Sequence, residues 1–359
     1  MAVHHVALCY IADYSNSTAA ADSLGTTTFV GVDNLISDKG GRRDATHGPN
    51  TSTVTGFDTG DVLIGNIRPY LKKVWLADRA GGCSGDVLAV RIRPEYRGGL
   101  DPSFLYYLLS SDQFFAFNTQ HAKGAKMPRG DKRAILTYRI PLPPLEIQRN
   151  IVEVLDTFRS LEAKLEAELE ARRRQYLHYR DNLLAPQPDA LRTRLGDVAL
   201  IGTGSHDTKD AIPDGDHVFY ARGRDPLRLD SFDFDEQAII TAGDGVGVGK
   251  VFHFADGKYA LHQRAYRIVP SAKLHPRYLY HVLLADFGRY LEGTSVHASV
   301  TSLRRPMFLN YPITVPPLKD QAKMVEVLDS FDALVNDLSI GLPAELAARR
   351  KQYEYYRDK

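Results

Sequence analysis

The chain contains two copies of one segment, and that duplication limits its possible folds more than any other feature. Residues 140–158 read IPLPPLEIQRNIVEVLDTF and residues 313–331 read ITVPPLKDQAKMVEVLDSF, 173 residues further on. ELEARRRQYLHYRD at 168–181 returns as ELAARRKQYEYYRD at 345–358, now 177 residues apart, so the second copy holds four extra residues between the blocks. Upstream, DPSFLYYLL at 101–109 loosely matches HPRYLYHVL at 275–283. The order is variable segment, helical segment, variable segment, helical segment. Two copies of one unit carry equivalent surfaces that pack on each other as in a dimer, so the repeat predicts pseudo-two-fold symmetry.

The block after Pro143-Pro144 has helical periodicity. Ile151, Val154, Phe158, Leu161 and Leu165 follow alternating steps of three and four, the a/d seam of a coiled coil. The seam then shifts by four and continues through Leu169, Tyr176, Tyr179 and Leu183, a stutter that unwinds a supercoil without ending the helix. Tandem prolines fit a helix entrance, and Ala185-Pro186-Gln187-Pro188 marks the exit. A helix over 145–184 would be about 60 Å long at ~1.5 Å per residue. Such a helix needs a partner for its seam. The second copy supplies Met324, Val327, Phe331, Leu334 and Leu338, then Leu346, Tyr353 and Tyr356. Gly341 and Pro343 predict a break or kink there, with Pro343 near the first turn of a new segment. The simplest packing is an antiparallel pair. The second copy stops at Tyr356-Arg357-Asp358-Lys359 where the first continues NLLAP, so the second helix is expected to lack its last turn.

The variable segments carry short β-rich runs punctuated by Gly, Asn, Asp and Pro, followed by one helix-like stretch each, at 104–117 and 277–291. The fold class is therefore α+β: two α+β domains at 1–141 and 189–314, alternating with repeated spacer helices at 142–188 and 315–359 packed as an antiparallel coiled coil.

Charge narrows the function. Lys plus Arg number 45 against 44 for Asp plus Glu, which excludes a uniformly basic coat. Basic residues are instead local. Residues 121–139 hold Lys123, Lys126, Arg129, Lys132, Arg133 and Arg139 against the single Asp131. The matching region of the second half holds His297, Arg304 and Arg305 among Ser295, Ser299, Thr301 and Ser302. Further candidates are Arg42 and Arg43 in a Gly-rich loop, and Asn66, Arg68, Tyr70, Lys72 and Lys73 in NIRPYLKK. In the second half they are Arg222, Arg224, Arg228, Lys250, His262 and Arg264. Localised Lys and Arg supply the phosphate attraction of DNA binding, while Arg, Asn, Ser and Thr can read base edges. For one cluster alone, a solvated loop is as good an account; two clusters at matching repeat positions point to a shared ligand.

The absences also constrain function. GDGVGVGK at 243–250 lacks the first glycine of a phosphate loop, and Val251 stands where Ser or Thr is required. No dinucleotide fingerprint, Asn-Pro-Pro-aromatic motif, GxSxG or HExxH occurs. Two cysteines, Cys9 and Cys83, with scattered histidines predict neither a disulfide framework nor a metal site. With no signal peptide or long apolar run, a cytoplasmic protein without a membrane span is expected. Two non-catalytic globules held by a paired helix read as a measuring device.

The doubled PPL…Q…VEVLD and ARR(R/K)QY…YRD blocks, GDVLIGNIRPYLKK at 60–73 and LGDVALIGTG at 195–204 resemble the specificity (S) subunit of type I restriction–modification enzymes. The resemblance covers essentially the whole chain. It implies that each variable segment is a target recognition domain reading half of a split double-stranded DNA sequence. It also implies that the helices space the two and dock two modification (methyltransferase) subunits, which bind S-adenosylmethionine and methylate adenine. Restriction subunits would add translocation and cleavage with ATP and Mg. The chain itself would hold no cofactor and catalyse nothing. The recognition subunit of a fused restriction–methylation system shares this architecture, and a protein-binding assembly scaffold is the alternative without DNA.

Overall fold

Period-two alternation in the strands decides how each globule is layered. The computed structural model describes residues 4–186, 190–245, 247–294 and 302–358. They form two compact units, Met1–Leu165 with Leu346–Lys359, and Glu166–Glu345.

In the first unit an antiparallel sheet orders Ala12–Tyr14, Val87–Ile92, Val62–Gly65 and Val74–Leu76. A second sheet orders Thr18–Ala20, Thr53–Phe57, Gly81–Cys83 and Phe29–Val30, its last pair parallel. Val62, Ile64, Leu88 and Val90 face a core shared with helices, whereas Leu63, Val87 and Ala89 face a core with Phe57 and Cys83. Burial on both faces explains why these strands read as unbroken apolar runs. The helix expected over 104–117 is two helices, Pro102–Leu109 and Asp112–Gln120. The physical reason is the Ser110-Ser111 pair: the Ser111 hydroxyl accepts from Phe114 N at 3.1 Å and caps a new start.

In the second unit one sheet orders Ala199–Thr203, Ala265–Pro270, Phe234–Ala242, Phe252–Leu261, His217–Tyr220 and Leu227–Leu229. Ile239 faces the helices, and its neighbours Ala238 and Ile240 face the opposite core. The stretch expected over 277–291 runs from helix Pro276–Val282 through a π turn, Leu283–Phe287, into Gly288–Thr294.

Both units close the same way. His5–Ala7 pairs antiparallel with Arg139–Pro141, and Leu191–Arg194 with Pro312–Val315. Entry and exit of each variable segment are thus stitched together immediately before the tandem prolines. Behind each proline pair sits a glutamine with no exposed surface. Gln148 accepts from Asp101 N at 2.9 Å and donates to Gly99 O and Pro143 O. Gln321 accepts from His275 N at 2.7 Å and donates to Lys273 O and Pro316 O. Each side chain satisfies three backbone groups, any of which would cost about 1–3 kcal/mol if left buried and unpaired. One helical turn pair later the units differ. Asp156 accepts from the Tyr107 hydroxyl. Its counterpart Asp329 accepts from Arg277 Nη2 at 2.5 Å and His281 Nε2 at 2.6 Å.

The first repeated helix spans Leu145–Leu183 without interruption. The second is broken into Leu318–Asn336 and Leu342–Asp358. Gly341 is required at the break, because a Cβ there would stand 2.4 Å from Ala333 O. Each unit pairs a piece of one copy with a piece of the other. In the first, Phe158 stacks on Tyr356 at 5.5 Å between ring centroids, and Glu162 meets Arg350 Nε at 2.7 Å. As one chain advances from 158 to 162 its partner retreats from 356 to 350, so the pairing is antiparallel. In the second unit Tyr179 stacks on Phe331 at 5.5 Å. Phe158 corresponds to Phe331 and Tyr179 to Tyr356, so these are one contact made twice.

The seam needs one correction. Ile151 and Val154 are 38% and 50% exposed, and Val327 and Leu334 are 39% and 38% exposed. Their neighbours Leu155 and Leu328 are buried instead, each in or beside its own globule. The opening turns of each helix dock on the preceding domain rather than on the other helix, which rotates the buried stripe by one residue. Phe158 and Phe331 make the helix pairing, while Tyr353 packs against the first core and Met324 against the second. Leu161 and Leu165 are half-buried.

Candidate nucleic-acid interface

In each unit, the loop leaving one sheet strand is hydrogen-bonded to the loop preceding a short helix. In the first unit Ile67 bridges Arg129, and Gly130 N donates to Asn66 O at 3.0 Å. In the second Asp244 bridges Ser302, and Leu303 N donates to Gly243 O at 2.7 Å. The equivalence extends to backbone conformation. Arg68 and Lys72 are left-handed, with φ of 53° and 49°; Gly245 and Gly249, 177 residues on, have φ of 81° and 66°.

The first cluster gathers loops 38–43, 66–73 and 123–133. Asp38 N and Lys39 N donate to Leu71 O and Lys72 O, both at 2.9 Å. Among the described residues, Asp38, Lys39, Arg68 and Lys72 are all the non-glycine positions with positive φ, and all lie here. Each such residue costs about 1 kcal/mol or more, a strain that concentrates at functional surfaces. Asp131 caps helix Lys132–Thr137 by accepting from Arg133 N and Ala134 N. Lys123 at 2.5 Å, together with those N–H groups, holds its carboxyl down at about 2. Arg129 reaches Asp86 at 2.8 Å. Arg43, Arg68, Lys126, Lys132 and Arg133 are exposed, and Tyr70 is 52% exposed.

Other candidates of this cluster are bonded to partners within the protein. The Arg42 side chain is 8% exposed, 3.1 Å from Asp44 and stacked over Trp75. Asn66 is buried beneath Gly130. Lys73 donates to Val32 O at 2.7 Å, and burial lowers its pKa. Lys72 shares Asp112 with Lys39 and Arg357 at 2.7–3.1 Å. Burial opposes ionisation of Asp112, yet its bonds from Lys39 and Lys72 hold the carboxyl well below the usual range. The common reason is that tight loops bury some of their polar side chains to satisfy their own backbone and charges.

In the second cluster Arg222, Arg224, Lys250, Arg264 and Arg304 are exposed. His262 is 2% exposed, because its Nδ1 accepts from Arg264 N at 2.9 Å and its ring lies against Phe219. Burial lowers its pKa, leaving a neutral structural imidazole at pH 7. His297, Ser299 and Thr301 lie outside the described residues. The carboxylates that organise the cations, Asp86, Asp112 and Asp244, escaped the sequence argument because charge counting treats an acid in a basic loop as subtraction. No group of three metal-ligating side chains occurs among the described residues, and no helix there is long and apolar enough to cross a membrane.

Comparison with known proteins agrees with this architecture. The family described as type I restriction modification DNA specificity domain matches residues 86–171 and 192–348. The specificity subunit of a type I restriction enzyme of Escherichia coli is 30% identical over 256 residues, 61% of this chain and 62% of that protein, less than two thirds of its length. A putative type I specificity subunit of Mycoplasma pneumoniae is 30% identical over 235 residues, 60% of this chain and 90% of that protein. The type I S subunit of M. genitalium superposes with a TM-score of 0.65 at 13% identity, covering 99% of this chain and 95% of the other. The S subunit of Thermoanaerobacter tengcongensis gives 0.53 at 19% identity, with 99% and 95% covered; both likenesses concern the fold. Two loop clusters at repeat-equivalent positions, in domains each followed by a repeated helix, go with a match to this family over most of the sequence, and the chain belongs to the specificity subunits of type I restriction–modification enzymes.

Proposed function

We propose that this chain reads a bipartite double-stranded DNA sequence, one half with each loop cluster, and docks two adenine-methylating modification subunits. S-adenosylmethionine, and ATP with Mg for a restriction subunit, belong to those partners. This chain contributes no reacting group; its chemistry is recognition. The observation that carries the reading is the matched loop bridge, Ile67 to Arg129 and Asp244 to Ser302, each surrounded by exposed cations. Phosphate contacts fix register and base-edge contacts fix sequence.

The deciding experiment is modification mapping in cells expressing this chain with its partner methyltransferase. A split motif with a fixed gap supports the reading, and a contiguous motif or none refutes it. A four-residue helical insertion after Leu165 lengthens that helix by ~6 Å, close to two base pairs at ~3.4 Å each. It is expected to widen the gap and leave both half-sites intact; an unchanged gap would show that the helix is not the spacer. Arg129→Ala and Lys132→Ala are expected to weaken DNA affinity several-fold with little change in melting temperature. Unchanged affinity for both would remove loop 123–133 from the DNA face.

A further inference from the structure

We infer, on the DNA reading above, that Asp244 is a specificity-determining positioning residue: it clamps Arg222 and Arg264 into one fork for base edges and repels phosphate from that fork. Arg222 Nη1 donates to Asp244 Oδ1 at 2.9 Å, and Arg264 Nη1 donates to Oδ2 at 3.1 Å. The two guanidinium groups thus take separate oxygens of one carboxylate. They come from different places in the chain. Arg222 follows strand His217–Tyr220, Arg264 precedes Ala265–Pro270, and Asp244 follows Phe234–Ala242. The backbone beneath the fork is fixed, with Gly243 N donating to Arg264 O at 2.8 Å and Arg264 N to His262 Nδ1 at 2.9 Å.

The arginines remain available. Their side chains are 42% and 65% exposed, against 23% for Asp244. Each guanidinium has five N–H donors, so most still point elsewhere. Two free arginines side by side would bind any phosphate, without regard to sequence. A carboxylate between them leaves the trio with one net positive charge and sets a repulsive oxygen where a phosphate would sit. Neutral acceptors such as guanine O6 and N7 meet much weaker repulsion than an anionic phosphate. Holding both side chains before binding also removes part of the entropy cost of ordering them. Phosphate contact is left to exposed cations such as Arg224, Lys250 and Arg304.

The test is selection from a random DNA pool, using the full-length chain in the complex in which it purifies. Binding of the selected target and of a scrambled duplex is then measured at several salt concentrations. Asp244→Asn is expected to erase base preference at one or two positions of one half-site and leave the other half-site unchanged. The ratio of target to scrambled affinity should fall about 10-fold, the value of one good base contact, with a steeper salt dependence. Asp244→Glu should retain the motif. Asp225→Asn, which removes a charge from the neighbouring loop without releasing the fork, should retain it too. Asp244→Ser replaces Asp244→Asn where the latter does not fold. If Asp244→Asn keeps motif and ratio while Arg222→Ala and Arg264→Ala lose them, the clamp is overturned and the DNA reading stands. If the double arginine variant selects the wild-type motif with wild-type affinity, this face does not read DNA, and the clamp falls with it.

Discussion

Loops 66–73 and 243–250 place left-handed residues and a backbone bridge at repeat-equivalent positions, with different chemistry. Left-handed backbone falls at Arg68 and Lys72 in one and at Gly245 and Gly249 in the other. Glycine adopts that conformation without penalty, whereas Arg and Lys pay strain to place a cation. The first loop therefore presents Arg68 from its own turn and ties Lys72 to Asp112. The second has glycine at both left-handed positions, carries Lys250 at its end, and takes Arg222 and Arg264 from neighbouring loops, joined through Asp244. The two loops share left-handed positions while their side chains have diverged, which is what the proposed reading of two different half-sites requires. Beneath the loops the contrast reverses direction. Gln148 and Gln321 make matching bonds, so the frame that holds each helix against its globule has not diverged.

The sharpest test of the shared frame is Gln148→Leu beside Gln321→Leu. Each strands three backbone groups in part-buried surroundings, so each should cost about 1–3 kcal/mol. Similar losses in thermal unfolding uphold the equivalence, and a near-neutral effect in one copy breaks it. The loops should respond in opposite senses. Arg68→Gly is expected to stabilise by about 1 kcal/mol while weakening DNA binding. Gly249→Ala should destabilise by at least about 1 kcal/mol, since its Cβ would also stand 3.0 Å from Leu291 Cδ1. A stabilised Gly249→Ala would show that the two paths are not equivalent.

The smallest effect separates the units by pH. Burial lowers the His281 pKa against the pull of Asp329, and His281 Nδ1 is buried without a hydrogen-bond partner among the described residues. As pH falls through the ordinary histidine range near ~6.5, the unfolded chain takes up a proton that the folded one resists, and stability is lost. Tyr107, in the same place in the first unit, stays neutral there. His281→Tyr should flatten the decline of melting temperature between about pH 7.5 and about pH 5.5. A decline as steep as wild type would assign the acid sensitivity elsewhere.

Repeats, helices and the break at Gly341 were legible because local pattern specifies them: tandem prolines, three–four spacing and a Gly-x-Pro interruption act within a few residues. The split of 104–117 at Ser110-Ser111 was not, because both serines are tolerated in a helix and only the cap bond to Phe114 N reveals the new start. Ile151 and Val154 carried a true helical period but not the buried face, which depends on what lies against the helix. Of the candidate contacts, the exposed cations of loop 123–133 were readable from charge. Arg42, Asn66, Lys73 and His262, candidates by polarity alone, are turned toward partners within the protein, which polarity does not report.

Composition and repetition alone determined that this chain is a duplicated, near-neutral α+β protein with paired helices and local basic loops. Only the tertiary structure decided which cations are free, which are held by Asp86, Asp112 and Asp244, and which repeat half packs with which. The reason is range. Periodicity and turn chemistry act over a few residues of sequence, whereas ion pairing and burial are set by side chains brought together from far apart in the chain.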